Sequence, residues 1–460
     1  MQIEQIYTKC LAQGAYFISH KGEAAVIDPL RETQPYVSLA TESNCKIKYI
    51  FETHFHADFV SGHVDLAKQT GADIVFGSVA KTAFPSIGAT HKQEFKIGDL
   101  TIRVLHTPGH TPESVCFLLI DENGKDIALF SGDTLFLGDV GRPDLAIKSD
   151  LTKEDLAGML FDSLRNEVMT LADDVVVYPA HGAGSSCGKN MSSETSGSLG
   201  EQKQTNYALR ANMTKEEFVK EVTDGILPPP QYFPKNAQMN KNGYSEIDSV
   251  LEKGTKGLNL NEFNAEVKNG ALILDVRTQQ DFIKGFIPDS LFIGLNGTFA
   301  MWVGALIIDL NQPIVLICPK GSEHEAALRL ARVGYDNCLG FLAGGVEEYQ
   351  AAGNTLATIT SVNPAELIHD FESKKIVDVR KASEYATAHL EHADLYPLDY
   401  IMENLAYLDK NESYYVHCAG GYRSVIAISI LMRNGYTNLT DISGGFAAIS
   451  GVNLPVVALF

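Results

Sequence analysis

Short apolar runs, each closed by Gly, Pro or a polar cluster, recur along this chain. Tyr49-Ile50-Phe51 and residues 100–105, 127–130 and 174–177 read as buried strands of one half. Residues 272–276, 375–379 and 414–417 read the same way in the other half. Runs rich in β-branched and aromatic residues, bounded by turn formers, indicate strands covered on both faces. The apolar stretch 425–431 instead reads as a buried helix. Asn363-Pro364-Ala365-Glu366 has the form of a helix start, with Asn as the cap and Pro in the first turn. The pattern predicts an α/β protein of several domains.

Self-similarity divides the second half. Leu272-Ile273-Leu274-Asp275-Val276-Arg277 with Asp281-Phe282 returns as Lys375-Ile376-Val377-Asp378-Val379-Arg380 with Glu384-Tyr385. Leu342-Ala343-Gly344-Gly345-Val346 returns as Ile442-Ser443-Gly444-Gly445-Phe446. The offset, about one hundred residues, is a typical domain length. Leu227-Pro228-Pro229-Pro230-Gln231-Tyr232-Phe233-Pro234 can neither continue a helix nor pair inside a sheet. The expected organisation is a domain over 1–225, a proline-rich linker over 226–256 whose aromatics pack on a surface, and repeat units over 257–358 and 359–460.

The apolar runs of the first half end on chemistry. Thr53-His54-Phe55-His56-Ala57-Asp58-Phe59 follows the run at 49–51. Alternation along an extended segment puts His54, His56 and Asp58 on one side of the chain, able to converge. Thr107-Pro108-Gly109-His110-Thr111, Ser131-Gly132-Asp133-Thr134 and Tyr178-Pro179-Ala180-His181-Gly182 each close a further run on a His or an Asp. Neutral imidazole and carboxylate converging at strand ends suit zinc or non-haem iron.

That order of motifs resembles the metallo-β-lactamase superfamily, and the resemblance implies an αββα sandwich with metal at one edge of its sheets. Members with two zinc ions usually carry His directly after the Asp, where this chain has Phe59. A benzyl group cannot ligate, so one metal is expected. The mononuclear branch it resembles is the persulfide dioxygenases. By motif position that resemblance implies one Fe(II) per domain on His54, His110 and Asp133. His56, Asp58 and His181 would stand behind them, orienting the ligands. A zinc site that also uses His56 is the alternative.

Gly182-Ala183-Gly184-Ser185-Ser186-Cys187-Gly188-Lys189 superficially looks like a phosphate loop, but its glycine spacing is wrong and Asn190 stands where Ser or Thr is required. A low-complexity loop is the plain alternative. Placed directly after His181, it would overhang the metal, and similar dioxygenase–rhodanese fusions carry the same run. On that resemblance Cys187 takes up or relays sulfur. Lys189, also a candidate for substrate binding, and Lys203 are candidates for lowering its pKa. Arg142 suits bidentate binding of a carboxylate, such as the tail of a glutathione-like thiol. The alternative for Arg142 is a salt bridge to Asp139 or Asp144.

In the last unit, Cys418-Ala419-Gly420-Gly421-Tyr422-Arg423-Ser424 follows the run at 414–417 and opens the helix at 425. Backbone N–H groups at such a junction, with Arg423, would stabilise a thiolate. The loop resembles that of the rhodanese sulfurtransferases, as do Asp378-Val379-Arg380, His389 and Ser443-Gly444-Gly445-Phe446. Its Cys-to-Arg span is one residue shorter than in rhodanese-like phosphatases, which implies sulfur as the transferred atom and a Cys418 persulfide. The middle unit has Cys318-Pro319-Lys320-Gly321-Ser322-Glu323, with no matching Arg, and reads as structural.

Composition narrows the partners. Hydrophobic residues make up 45% of 460, with no apolar run long enough for a bilayer. The N-terminal residues lack the basic and apolar regions of a signal peptide and read as a first strand. Seven widely spaced cysteines without a C-x-x-C pair argue against a disulfide framework. A net charge of −20 argues against nucleic acid. A cytoplasmic homo-oligomer is expected. The resemblance implies oxidation of a low-molecular-weight persulfide by O2 to sulfite, coupled to a rhodanese step that makes thiosulfate, in sulfide detoxification. A zinc thioester hydrolase of the glyoxalase II type and a non-oxidative persulfide carrier are the alternatives.

Overall fold

A computed structural model describes residues 1–146, 151–189, 191–226 and 228–458. Asn190 and Leu227, named above, lie outside the described residues. The chain divides into two compact units, residues 1–247 with 331–334, and residues 248–330 with 335–460.

Two sheets of six strands form the first unit. One runs Gln2–Thr8, Gln13–His20, Glu23–Ile27, Lys46–Phe51, Asp73–Gly77 and Ile87–Ala89. The other runs Glu94–Ile97, Leu100–His106, Val115–Ile120, Asp126–Gly132, Val176–Pro179 and Gly197–Ser198. Alternation decides the layers. Tyr16 and Ile18 face the second sheet, in a core with Phe51, Phe117 and Phe130. Ala15 and Phe17, one residue out of phase, face Tyr36 and Leu66 of the helices Gln34–Glu42 and His63–Thr70. The second sheet buries its outer side against Leu160, Leu199 and Phe218, on the helices Lys153–Ser163, Leu199–Thr205 and Lys215–Thr223. Both faces of both sheets are therefore covered, which is why their strands read as continuous apolar runs. The layers are helix, sheet, sheet, helix.

The expected linker is not bare coil. Phe233–Asn242 and Ile247–Gly254 are helical, the first opening with Pro234 in its first turn, where a missing N–H costs nothing.

The second unit holds two parallel five-stranded sheets with one strand order. The first runs Gly257–Leu258, Cys338–Leu342, Ile314–Ile317, Leu272–Asp275 and Leu291–Phe292. The other runs Thr360–Val362, Leu439–Ile442, Tyr414–His417, Lys375–Asp378 and Ala393–Leu395. Each sequence motif repeats at the same place in its sheet. The helix expected at 425–431 is the core of Tyr422–Arg433. Asn363 and Glu366 form a capping box, closing a short 3₁₀ turn. Among the described residues no helix is long and apolar enough to cross a membrane.

Candidate metal centre and sulfur-transfer loop

His54, His110 and Asp133 come together at the strand ends, with ligand atoms all within 4.8 Å of one another. Asp133 Oδ2 lies 3.4 Å from His110 Nε2 and 3.9 Å from His54 Nε2. Glycines make the approach possible. A Cβ on Gly132, at φ 53°, would lie 2.6 Å from Thr53, and one on Gly109 would lie 2.4 Å from Leu160.

Partners behind the imidazoles fix their tautomers. His110 Nδ1 donates to the Arg142 carbonyl at 2.8 Å. Thr53 Oγ1 donates to Asp28 at 2.9 Å, so it accepts from His54 Nδ1, also at 2.9 Å. Both Nε2 lone pairs are thereby left for an ion. Burial pushes His54 and His110 below the ordinary histidine value, so both are neutral, as ligands must be. Burial alone would raise Asp133, but His181, His110 and His54 hold it well below the carboxylate range. Its Oδ2 is buried with no hydrogen-bond partner, facing the two imidazoles. An ion ligated by two nitrogens and this oxygen would remove that deficit. The residues fit a metal.

The other expected residues divide. His181 joins two carboxylates, Nδ1 to Asp133 Oδ1 at 2.7 Å and Nε2 to Asp58 Oδ2 at 2.8 Å. Burial opposes its charge, yet Asp133 and Asp58 raise its pKa well above the usual histidine value. Asp58, His181 and Cys187 offer atoms within 4.8 Å of one another. His56 goes elsewhere. Its Nε2 faces Asp28 Oδ1 at 3.1 Å and Glu52 Oε2 at 3.5 Å. Burial opposes protonation, but these two carboxylates push His56 up to about 10. The His54 and His56 rings lie 4.3 Å apart between centroids, but the ligand atoms of His54, His56 and Asp58 fall in three separate groups, because residues 52–59 leave the strand and lose its alternation. Phe59, fully buried, lies against the His56 ring at 4.4 Å between centroids.

Lysine does not activate Cys187. The Lys189 ammonium donates to the Glu221 and Asp224 carbonyls, and Lys203 to Asp173 and the Leu171 carbonyl. Burial, with Asp133 next, pushes the Cys187 thiol up to about 12. Arg142 binds Asp144 through two hydrogen bonds of 2.6 and 2.8 Å, and the Ser186 carbonyl at 3.2 Å. Its backbone N–H donates to the Cys187 carbonyl. The arginine thus ties the cysteine loop to the metal loop. Asn240 of the helix Phe233–Asn242 was invisible in the sequence pattern. Its Nδ2 donates to the carbonyls of His56 and Phe59 at 2.7 and 2.8 Å, and its Oδ1 accepts from Ser61 N at 2.8 Å.

In the second unit Cys418 ends the strand Tyr414–His417, buried, and its sulfur accepts from Gly421 N at 3.1 Å. Gly421 has φ 93°, a conformation that turns the loop around the sulfur. The helix Gly445–Ile449 clamps the loop from the other side, Phe446 N donating to the Cys418 carbonyl at 2.6 Å. A Cβ on Gly445 would come within 2.4 Å of that carbonyl oxygen, which accounts for the Gly-Gly pair. Arg423 is held by Glu384 through bonds of 2.6 and 2.7 Å.

Residues 9–181 match the Metallo-beta-lactamase superfamily, and residues 259–352 and 363–451 match the Rhodanese-like domain. With the sandwich and its strand-end ligands, this defines the class: the chain belongs to the metallo-beta-lactamase superfamily, in the form that carries two rhodanese-like domains behind the metal domain. A crystal structure of a metallo-beta-lactamase from Staphylococcus aureus subsp. aureus COL is 31% identical, with a TM-score of 0.66, covering 74% of this chain and 98% of that one. Hydroxyacylglutathione hydrolase of Tolumonas auensis is 34% identical over 170 residues, 36% of this chain and 60% of that protein. The human persulfide dioxygenase ETHE1, mitochondrial, is 29% identical over 211 residues, 45% of this chain and 74% of that protein. The chain spans only 57% to 60% of the hydroxyacylglutathione hydrolases of Rhizobium etli and Tolumonas auensis.

Proposed function

We propose that the first unit is a mononuclear iron dioxygenase for low-molecular-weight persulfides, and that the last rhodanese-like domain transfers sulfur through Cys418. One observation carries the first part: His54, His110 and Asp133 converge while His56 is turned to Asp28 and Glu52 and Phe59 is apolar. Two nitrogens and one oxygen with open positions suit Fe(II). When bound, Fe(II) would supply those positions to the persulfide and O2; both O2 atoms would end on the outer sulfur, and a water would supply the third oxygen as the S–S bond breaks, giving sulfite and free thiol. His54 and His110 are held neutral for ligation, and His181, between Asp133 and Asp58, holds a proton beside the reacting centre. Cys187, buried beside His181, is the thiol that takes up or relays sulfur in this reading. Cys418 then hands sulfur to sulfite as thiosulfate, consuming the first product. The role is sulfide or persulfide detoxification.

The likeness to hydroxyacylglutathione hydrolases favours a second reading, a zinc thioester hydrolase. Anaerobic purification, metal quantification and O2 uptake on adding glutathione persulfide separate the two. The dioxygenase requires about one iron per chain and persulfide-dependent O2 uptake, lost in Asp133→Ala. Zinc without O2 uptake establishes the hydrolase instead.

A further inference from the structure

Behind the Cys418 sulfur one hydroxyl leads to a buried carboxyl. Cys418 Sγ lies 3.7 Å from Ser424 Oγ, toward which it donates. Ser424 Oγ donates to Asp441 Oδ1 at 2.8 Å, and Ser361 Oγ donates to Asp441 Oδ2 at 2.9 Å. Cys418, Ser424 and Asp441 are all buried. With its own hydrogen committed to Asp441, Ser424 can only accept from the thiol.

The middle repeat provides an internal control. Strand register places Ser361 opposite Asp441, and in the first copy Gly257 opposite Phe341. Both polar groups are therefore absent from the copy that also lacks the loop arginine. The sheet does not require a buried carboxyl on this strand, since the first copy builds it with Phe341. The carboxyl accompanies the loop chemistry, not the fold.

We propose that Ser424 and Asp441 form a proton relay for Cys418, Asp441 being a positioning residue that holds the thiol proton while sulfur is transferred. This rests on the sulfurtransferase reading above. In the step, the Cys418 proton moves to Ser424 Oγ as the Ser424 proton moves to Asp441 Oδ1. The Cys418 thiolate attacks the outer sulfur of a persulfide donor, RS–SH. The donor's S–S bond breaks, its electron pair leaves on RS⁻, and Cys418–S–SH remains. No net oxidation occurs, and Gly421 N–H stays on the inner sulfur.

The surroundings suit a shared proton. Burial raises the Asp441 carboxyl above its ordinary value, while hydrogen bonds from Ser424 and Ser361 work the other way. Ser361 and Ser424 are the groups that act on it, and neither is charged. On the sulfur side stand Arg423, held by Glu384, and His417, whose Nε2 is 3.8 Å from Asp378, itself bonded to Arg380.

Alkylation of Cys418 by iodoacetamide in the full chain, followed by mass spectrometry of its peptide from about pH 5 to about pH 8, tests the relay. In the wild type the rate levels off at the acid end, because the proton passes to Asp441 and not to solvent. In Asp441→Asn and in Ser424→Ala the rate falls about tenfold per pH unit, and Ser424→Thr restores the plateau. Superimposable wild-type and Asp441→Asn profiles overturn the relay, as does a Ser424→Thr profile that matches Ser424→Ala. Should Asp441→Asn fail to fold, the Ser424 pair decides alone. A wild-type plateau lost in Ser424→Ala, without any Cys418 persulfide on adding donor, would sink the sulfurtransferase reading and leave the relay standing.

Discussion

The two rhodanese-like repeats share a sheet and differ in a loop. Arg277 binds Asp275 at 2.6 and 3.0 Å and the Gly285 carbonyl at 2.8 Å. Arg380 binds Asp378 at 2.6 and 2.9 Å and the Ala388 carbonyl, again at 2.8 Å. This clamp, the most visible sign of the repeat in the sequence, is present in both copies and cannot be what distinguishes a working site. The difference lies after the strand. Cys418 receives a backbone N–H, whereas in the first copy Gly321 N turns to Glu323 Oε1 at 3.0 Å. Burial, with Cys338 and then Glu323, pushes the Cys318 thiol far up. The nearby Arg329 is committed to Glu325 and to the Leu295 carbonyl. Shape has been kept where the loop has not, so fold alone is no guide to activity. The first copy retains a mechanical tie: Tyr422, inside the sulfur loop, donates to the Gly294 carbonyl at 2.7 Å, and Phe292 N donates to Ser429 Oγ at 3.1 Å.

The sharpest way to break this contrast is to exchange the sulfurs. Cys418→Ser is expected to lower sulfur transfer from a persulfide to sulfite by roughly a thousandfold, while Cys318→Ser changes it less than about twofold. Loss in both variants would make the copies equal partners.

Glu384→Gln comes next, lowering transfer by about tenfold because Arg423 loses its bidentate, charge-assisted partner. The same variant carries a pH signature. Arg423 holds the Glu384 carboxyl below its ordinary value, so the pair's stabilisation is present above the unfolded value, about 4.3, and is lost as pH falls through the folded one. Urea midpoints of wild type and variant should therefore differ at pH 7 and merge in acid. A gap that persists in acid would assign the effect to packing.

The smallest effect belongs to Tyr422→Phe. Leaving the Gly294 carbonyl unpaired costs about 1 kcal/mol, a fall of roughly 2–4 °C in the melting temperature of the second unit. An unchanged melting temperature would mean the copies are not coupled through this tyrosine.

Much of this was legible because metal ligands and tight turns leave little choice of residue. His54, His110, Asp133 and His181 each close an apolar run, and the glycines beside them mark close backbone approach. The alternation that set His54, His56 and Asp58 toward one point failed for a physical reason: period-two reasoning holds only while the chain stays in a strand, and it leaves one at Phe51. The pairing of His56 with Glu52 depends on a loop path that alternation does not encode. Arg142 was read either as a carboxylate binder or as an ion-pair former, and in the structure it pairs with Asp144. Ser424, Asp441 and Ser361 lie on three elements far apart in sequence, so only the strand order brings them together. Prolines, finally, signal where helices cannot run on, and Pro234 was read as a break although it begins one.

Asn240 has a consequence for how such a chain can be inherited in pieces. One support of the His56–Ser61 turn is encoded beyond the triple proline, in a stretch that looks dispensable. A gene cut after residue 225 keeps every proposed metal ligand and loses the amide that holds their loop. Recombination at the visible seam would therefore yield a metal domain complete in its ligands and poor in its grip, whereas a crossover after residue 247 would keep that amide and lose only the 331–334 segment, whose Arg332 carbonyl accepts from Val60 N.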